Sequence, residues 1–216
     1  MEDKLISVVV NCFNGDKYLE ECLDSIKKQS YKNFEVIFFD NCSTDNSKFI
    51  FNKISDERFK YFSNDIHTNL STARNNAIKK ARGEIISILD VDDYWDKEML
   101  NNVNIVFNEN KEIMFSFTNF YILKNNKKIK VNSKVEEPLS DSIFKNYKLG
   151  INTISFNYKI FKNYKFNEKY HMIGDFDLIA NLSLKYKFYH IDKYLSVYRN
   201  HKENETNKKK NCIFVN

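Results

Sequence analysis

Proline occurs once, at Pro138, and glycine only four times in 216 residues. The residues that usually punctuate a chain are nearly missing, so each glycine marks a position with a specific need. No apolar run approaches the about 20 residues that span a bilayer, and no leader-peptide pattern precedes the first strand. The four cysteines, Cys12, Cys22, Cys42 and Cys212, show no Cys-x-x-Cys spacing. That excludes a zinc ribbon and a dense disulfide framework, and it points to reduced thiols in a cytoplasm with no catalytic role. The net charge of +5 is spread along the chain, with only four arginines, which argues against nucleic acid as a partner. Two nucleotide-binding signatures are also missing. No Gly-x-Gly-x-x-Gly follows the first strand, only Asn14-Gly15, and no P-loop ends in Gly-Lys-Ser/Thr; hydride transfer and P-loop phosphoryl transfer lose ground.

What is present reads as a soluble α/β protein with one substantial core, since 42% of its residues are hydrophobic and the length suits a single domain. Ile6-Ser7-Val8-Val9-Val10 is a first buried strand, and Leu19, Cys22, Leu23 and Ile26 recur at helical spacing in a helix ending near Gln29. Phe34-Glu35-Val36-Ile37-Phe38-Phe39 is the second strand, stopping at Asp40, with Ser43-Thr44-Asp45 as a helix cap behind it. A short strand at Phe59-Lys60-Tyr61-Phe62 leads to a helix over 70–82, closed by Gly83 as a C-terminal cap. The strand Ile85 to Leu89 completes a β-α-β-α-β-α-β order in the first 95 residues, which implies a sheet with helices on both faces. Beyond Trp95 come a helix near 97–108, strands at 113–123 and 127–132, and a polar connection through Pro138. A last helix starts at about Asp175, and two short strands follow, Lys187 to Ile191 and Leu195 to Tyr198. Residues 1–203 form one domain with halves at 1–95 and 96–203. Residues 204–216 are a polar, basic tail in which Lys208-Lys209-Lys210 precedes Cys212-Ile213-Phe214-Val215. The tail either frays in solvent or touches an anionic membrane surface or lipid-linked substrate.

The most informative feature is Asp90-Val91-Asp92-Asp93, placed where the buried strand Ile85 to Leu89 stops. Open parallel sheets bind ligands beyond their strands' carboxyl ends. Carboxylates crowded there repel one another unless a cation joins them, and hard oxygen ligands suit Mg²⁺ or Mn²⁺, which suit phosphates. Adjacent strand-end acids point differently, so one meets a metal and another the sugar or ribose, with Asp93 supporting the loop or next helix. A solvated acidic turn is the plain alternative. Asp40 either accepts hydrogen bonds from a nucleobase or is a turn acid. Arg74, in a chain that mostly uses lysine, either grips phosphate or forms a structural ion pair with the acidic cluster. Asp175 shares a stripe with Leu178, Ile179 and Leu182 that faces the protein body, and an inward acid suits a general base whose pKa burial raises. His201, just after the final strand, either returns to the metal or stays exposed.

Together these residues resemble the family 2 glycosyltransferases of the GT-A fold, typically bacterial enzymes of polysaccharide synthesis, over about residues 5 to 203. The likeness runs through Ser7-Val8-Val9-Val10-Asn11-Cys12-Phe13-Asn14-Gly15, Asp40-Asn41-Cys42-Ser43-Thr44-Asp45, Ala73-Arg74-Asn75 and Leu89-Asp90-Val91-Asp92-Asp93. It continues in Gly174-Asp175-Phe176-Asp177-Leu178 and Tyr198-Arg199-Asn200-His201. Many members carry Asp-Gly-Ser where this chain has Asn41-Cys42-Ser43, and Glu-Asp where it has Gly174-Asp175.

The resemblance implies a GT-A α/β fold, with residues 1–95 as the nucleotide-binding half and 96–203 as the acceptor side. Asn11 and Phe13 then line the base pocket, Asp40 bonds the base, Arg74 supports the nucleotide site, and Asp90 meets ribose or diphosphate with Val91 beside it. Asp92 holds Mn²⁺ or Mg²⁺, with His201 as an additional ligand and Asp93 in support, and Asp175 deprotonates an acceptor hydroxyl. The implied reaction is inverting transfer from a nucleotide-sugar, UDP-sugar first, to a glycan or lipid-linked acceptor at the inner face of the membrane. Two competing readings stay open: nucleotidyl transfer, and a non-catalytic acidic pocket that binds metal or partner.

Overall fold

The computed structural model describes residues 3–135, 143, 147–170 and 173–204. The expected alternation is present as β1 (Ile6–Cys12), α1 (Asp16–Lys27), β2 (Phe34–Asp40), α2 (Ser47–Phe51), β3 (Phe59–Ser63), α3 (Leu70–Ile78) and β4 (Ile85–Asp90). Every residue of β1 and β2 is buried, because helices cover both faces of this parallel region, so its strands are apolar throughout and do not alternate. Val8, Val10, Val36 and Phe38 pack with Leu19, Leu23 and Ile26 of α1 on one side. Val9, Ile37, Phe39, Ile86 and Ile88 pack with Ala73 and Ala77 of α3 on the other.

The second half contributes β5 (Tyr94–Trp95), α4 (Met99–Glu109), β6 (Ile113–Lys124), β7 (Lys127–Val131), β8 (Ile154–Asn157), α5 (Gly174–Ser183) and β9 (Lys187–Arg199). All described strands join one mixed sheet in the order β3-β2-β1-β4-β8-β6-β9-β5, with β7 paired to β6. The short β8 runs antiparallel to both β4 and β6 and so fuses the two halves into one hydrogen-bonded layer. No helix among the described residues is long and apolar enough to cross a membrane.

Several local expectations are corrected. The two short strands expected after Lys187 are one strand, since the register against β6 passes from Thr118↔Ile191 to Asn119↔Tyr194 through an irregularity that absorbs Asp192 and Lys193. Helix α3 ends at Ile78, and Gly83 is no cap, because no glycine has positive φ. Its need is space: a Cβ there would lie 2.6 Å from Ser7 N and 2.7 Å from Leu5 O. Glu35 completes that corner by accepting from Ser7 Oγ, Arg82 N and Lys60 Nζ. Burial pushes its pKa up, but these bonds outweigh burial and hold it below the usual range. Ser43, Thr44 and Asp45 do not cap α2, whose N-cap position is Asn46. Asp45 instead accepts from Asp16 N and Ser47 N, fastening the starts of α1 and α2 to each other. Asn204, assigned to the tail, is buried; the remaining tail residues, 205–216, lie outside the described residues.

Candidate active site

The carboxyl ends of β1, β2 and β4 lie side by side, with Cys12 opposite Asp40 and Asn11 opposite Asp90. This register gathers Asn11, Phe13, Asp40 and Asp90 onto one rim. Phe13 is 48% exposed, and its ring lies 4.0 Å, centroid to centroid, from that of His67, leaving an aromatic surface beside the strand ends. His67 Nδ1 lies 3.0 Å from Asn41 O, and Asn41 also clamps Thr68 through its side-chain amide. Asp40 performs the turn role weighed for it: Ser43 N donates to Oδ1 at 2.8 Å and Tyr61 Oη to Oδ2 at 2.6 Å. A carboxylate accepts about four hydrogen bonds, so capacity for a ligand remains. Val91 uses its methyls for packing; a Cβ on Gly15 would meet them at 2.8 Å, so Gly15 is what lets the acidic loop sit against the turn after β1.

Arg74, almost fully buried on α3, holds Asp90 through Nη2, at 2.8 Å from Oδ1 and 3.1 Å from Oδ2. The structural ion pair is therefore real, and it aims one carboxylate at the rim. Asp92 Oδ2 lies 2.9 Å from His201 Nε2 and accepts from Asn204 Nδ2 at 3.1 Å. Asp93 is buried and supports the loop through β9 and the turn before β8, not through the next helix: Arg199 N donates to Oδ1 and Asn152 Nδ2 to Oδ2. Burial raises the pKa of Asp92 and raises that of Asp93 strongly, with their acidic neighbours adding to both shifts. A cluster so disposed holds either protons or a cation.

Asp175 opens α5, where burial raises its pKa and nearby Arg74 opposes the rise. The close approach of α5 to α3 explains Gly174, since a Cβ there would lie 2.5 Å from Ser71 Oγ; the Glu common in the family would displace Ser71. Burial lifts the Cys12 thiol to about 11 and holds that of Cys22 well above its ordinary value, which suits inert side chains. The described cysteines are free.

Sequence reading missed three members of this region: His67, Asn204 and Tyr147, whose phenol feels the charges of Asp175 and Arg74. A pattern of spacing contains no signal for His67 or Tyr147, whose partners come from distant segments. Asn204 had one, the short distance from His201, whose backbone N–H donates to its Oδ1 at 2.5 Å.

A parallel sheet ending in a carboxylate rim, completed by an acid and a histidine from the second half, defines a protein of the GT-A class. Solved structures bear out that fold. S. aureus TarS in complex with UDP-GlcNAc matches 91% of this chain and 58% of its own at a TM-score of 0.71 and 24% identity. The mannosyltransferase PcManGT from Pyrobaculum calidifontis, in complex with GDP-Man and Mn²⁺, matches 94% and 59% at 0.71 and 17% identity. Residues 7–180 match the family described as Glycosyl transferase family 2, and the chain belongs to it. Among curated relatives, the Escherichia coli UDP-Glc:alpha-D-GlcNAc-diphosphoundecaprenol beta-1,3-glucosyltransferase WfaP is 37% identical over 121 residues, 56% of this chain and 48% of that protein. The chain spans about half the length of the first curated relatives it matches.

Proposed function

We propose that this chain is an inverting, divalent-metal-dependent glycosyltransferase that moves a sugar from a nucleoside diphosphate, UDP first, to a hydroxyl of a glycan or lipid-linked acceptor. The observation that carries it is the convergence of Asp92 and His201 at the strand rim, with Asp175 near enough to Arg74 and Asp90 to feel both charges. The donor set fits Mn²⁺ or Mg²⁺. Among the described residues no group of three or more His, Cys, Asp or Glu is arranged around one point, so Asp92 and His201 would hold the ion while water and phosphate complete its shell, as is usual for Mg²⁺. When bound, the ion supplies Lewis-acid stabilisation of the departing diphosphate.

The remaining work belongs to the protein. Phe13 offers a face to the base and Asp40 an acceptor for the uracil N3–H, while Asn11 adds a buried amide to the same rim. Arg74 holds Asp90 aimed at the ribose or diphosphate. Asp175 takes the proton of the acceptor hydroxyl as that oxygen attacks the anomeric carbon opposite the nucleotide. One displacement inverts the configuration. UDP is supported by the UDP-Glc relatives and by the UDP-GlcNAc complex of TarS, and a lipid-linked acceptor by the diphosphoundecaprenol in two relatives' names. Such an acceptor would bring the chain to the inner face of a membrane. The test is calorimetric titration of UDP, GDP and dTDP with and without Mn²⁺, with Asp92→Ala as control. Metal-dependent UDP binding that the variant loses, with turnover releasing UDP and not pyrophosphate, is the expected result; absence of metal-dependent nucleotide binding overturns the reading.

A further inference from the structure

Three side chains near the Arg74–Asp90 pair carry buried polar atoms with no hydrogen-bond partner among the described residues: both amide atoms of Asn11, Arg74 Nε and the Tyr147 hydroxyl. Protein interiors normally pair such atoms, so a group of them points to an absent ligand. Asn11 and Arg74 are tied to the strand rim through Asp90. Tyr147 comes from another segment. Its ring meets Phe176 edge-on, with centroids 5.3 Å apart at 84°, and its phenol is near enough to Asp175 and Arg74 to feel both charges. Burial, followed by the charge of Asp175, holds the phenol well above its ordinary pKa, while Arg74 pulls the other way. It is a neutral group that both donates and accepts.

We propose that Tyr147 is a donor-specificity residue whose hydroxyl bonds a hydroxyl of the transferred sugar beside Arg74 and Asp175. This rests on the glycosyl-transfer reading above. Arg74 serves the nucleotide side through Asp90, and Asp175 serves the acceptor. The sugar whose anomeric carbon passes from one to the other must lie between them. A neutral hydroxyl suits a sugar, whereas a diphosphate calls for cations. Sites built to bond a substrate hydroxyl discriminate strongly against analogues that lack it.

Tyr147→Phe keeps the ring and its contact with Phe176 and removes only the hydroxyl. Wild type and variant are titrated in Mn²⁺ with UDP, UDP-glucose, UDP-galactose and UDP-GlcNAc, and their melting temperatures are compared. The expected result is UDP affinity within about twofold of wild type and a loss of about five- to tenfold for the UDP-sugar the wild type prefers, the effect of one hydrogen bond. Melting should be unchanged or raised, because the deleted hydroxyl has no hydrogen-bond partner to lose among the described residues. If no UDP-sugar distinguishes the two proteins, or if UDP and UDP-sugars weaken equally alongside a lowered melting temperature, the assignment is overturned and the donor reading stands. If the wild type binds no nucleotide, the donor reading falls and takes the assignment with it.

Discussion

Arg74 and Asp90 form an ion pair across the strand rim in which the arginine side chain is 6% exposed and the aspartate 30%. The cation is thus the member that the fold has desolvated. Arg74→Ala is expected to cost about 2–3 kcal/mol in urea denaturation, less than a fully buried pair because Asp90 meets solvent. UDP affinity should fall at least about tenfold, since one unpaired carboxylate at the diphosphate end is repulsive at the scale of a charged hydrogen bond. Arg74→Lys should recover part of the stability.

Asp175→Asn separates catalysis from stability. Transfer should fall by about 10²–10⁴-fold, the usual worth of a general base, while UDP binding persists. The pKa of Asp175 is raised in the folded chain, so its contribution to stability is present below the unfolded value near about 4 and is lost as pH rises through the folded value. At neutral pH the wild type therefore bears the cost of charging a buried carboxyl. The Asn variant should melt higher at pH 7 by on the order of 2 °C, with the difference vanishing towards pH 4. The acid limb of the wild-type rate profile should lie above the usual aspartate range.

His201→Ala tests the metal assignment without removing a carboxylate. Half-maximal UDP binding should require at least about tenfold more Mn²⁺, the scale on which metal sites respond to loss of a supporting group. Titrating Mn²⁺ at fixed UDP gives the answer directly. An unchanged Mn²⁺ requirement would leave His201 as a simple hydrogen-bond partner of Asp92.

Cys42 adopts φ 70° at the position where many members of the family carry glycine. A side chain in that region costs about 1–2 kcal/mol, and glycine loses about 0.5–1 kcal/mol more chain entropy on folding. Cys42→Gly is therefore expected to raise stability by about 0.5–1 kcal/mol, read from the urea midpoint.

The parallel half of the fold is legible in the sequence because its strands are buried on both faces and its helices are amphipathic, so local composition and packing say the same thing. The rim carboxylates are legible for a related reason: a charged acid is costly to bury, so one that follows a wholly apolar run marks where the strand leaves the core. What escapes depends on distant partners. Ile154–Asn157 is four residues between two short 3₁₀ helices, too short for any period, and it becomes a central strand only because β4 and β6 are there to flank it. The end of α3 is hidden because Gly83 answers to a β1 residue lying 76 positions earlier. His67 finds its place through Phe13 and Asn41, which no spacing rule connects.

The acidic loop at 90–93 is finished by residues more than a hundred positions later. Arg199 donates from its backbone to Asp93 and from Nε to the Asp92 carbonyl, and also pairs with Glu21, while His201 and Asn204 engage Asp92 itself. On a ribosome, where the chain emerges from its amino end, the parallel amino-terminal half can begin to form its sheet long before these residues appear. The acidic loop cannot reach its final shape until residues 199–204 are free to fold back. A chain stopped short of residue 199 should therefore lack the ordered loop.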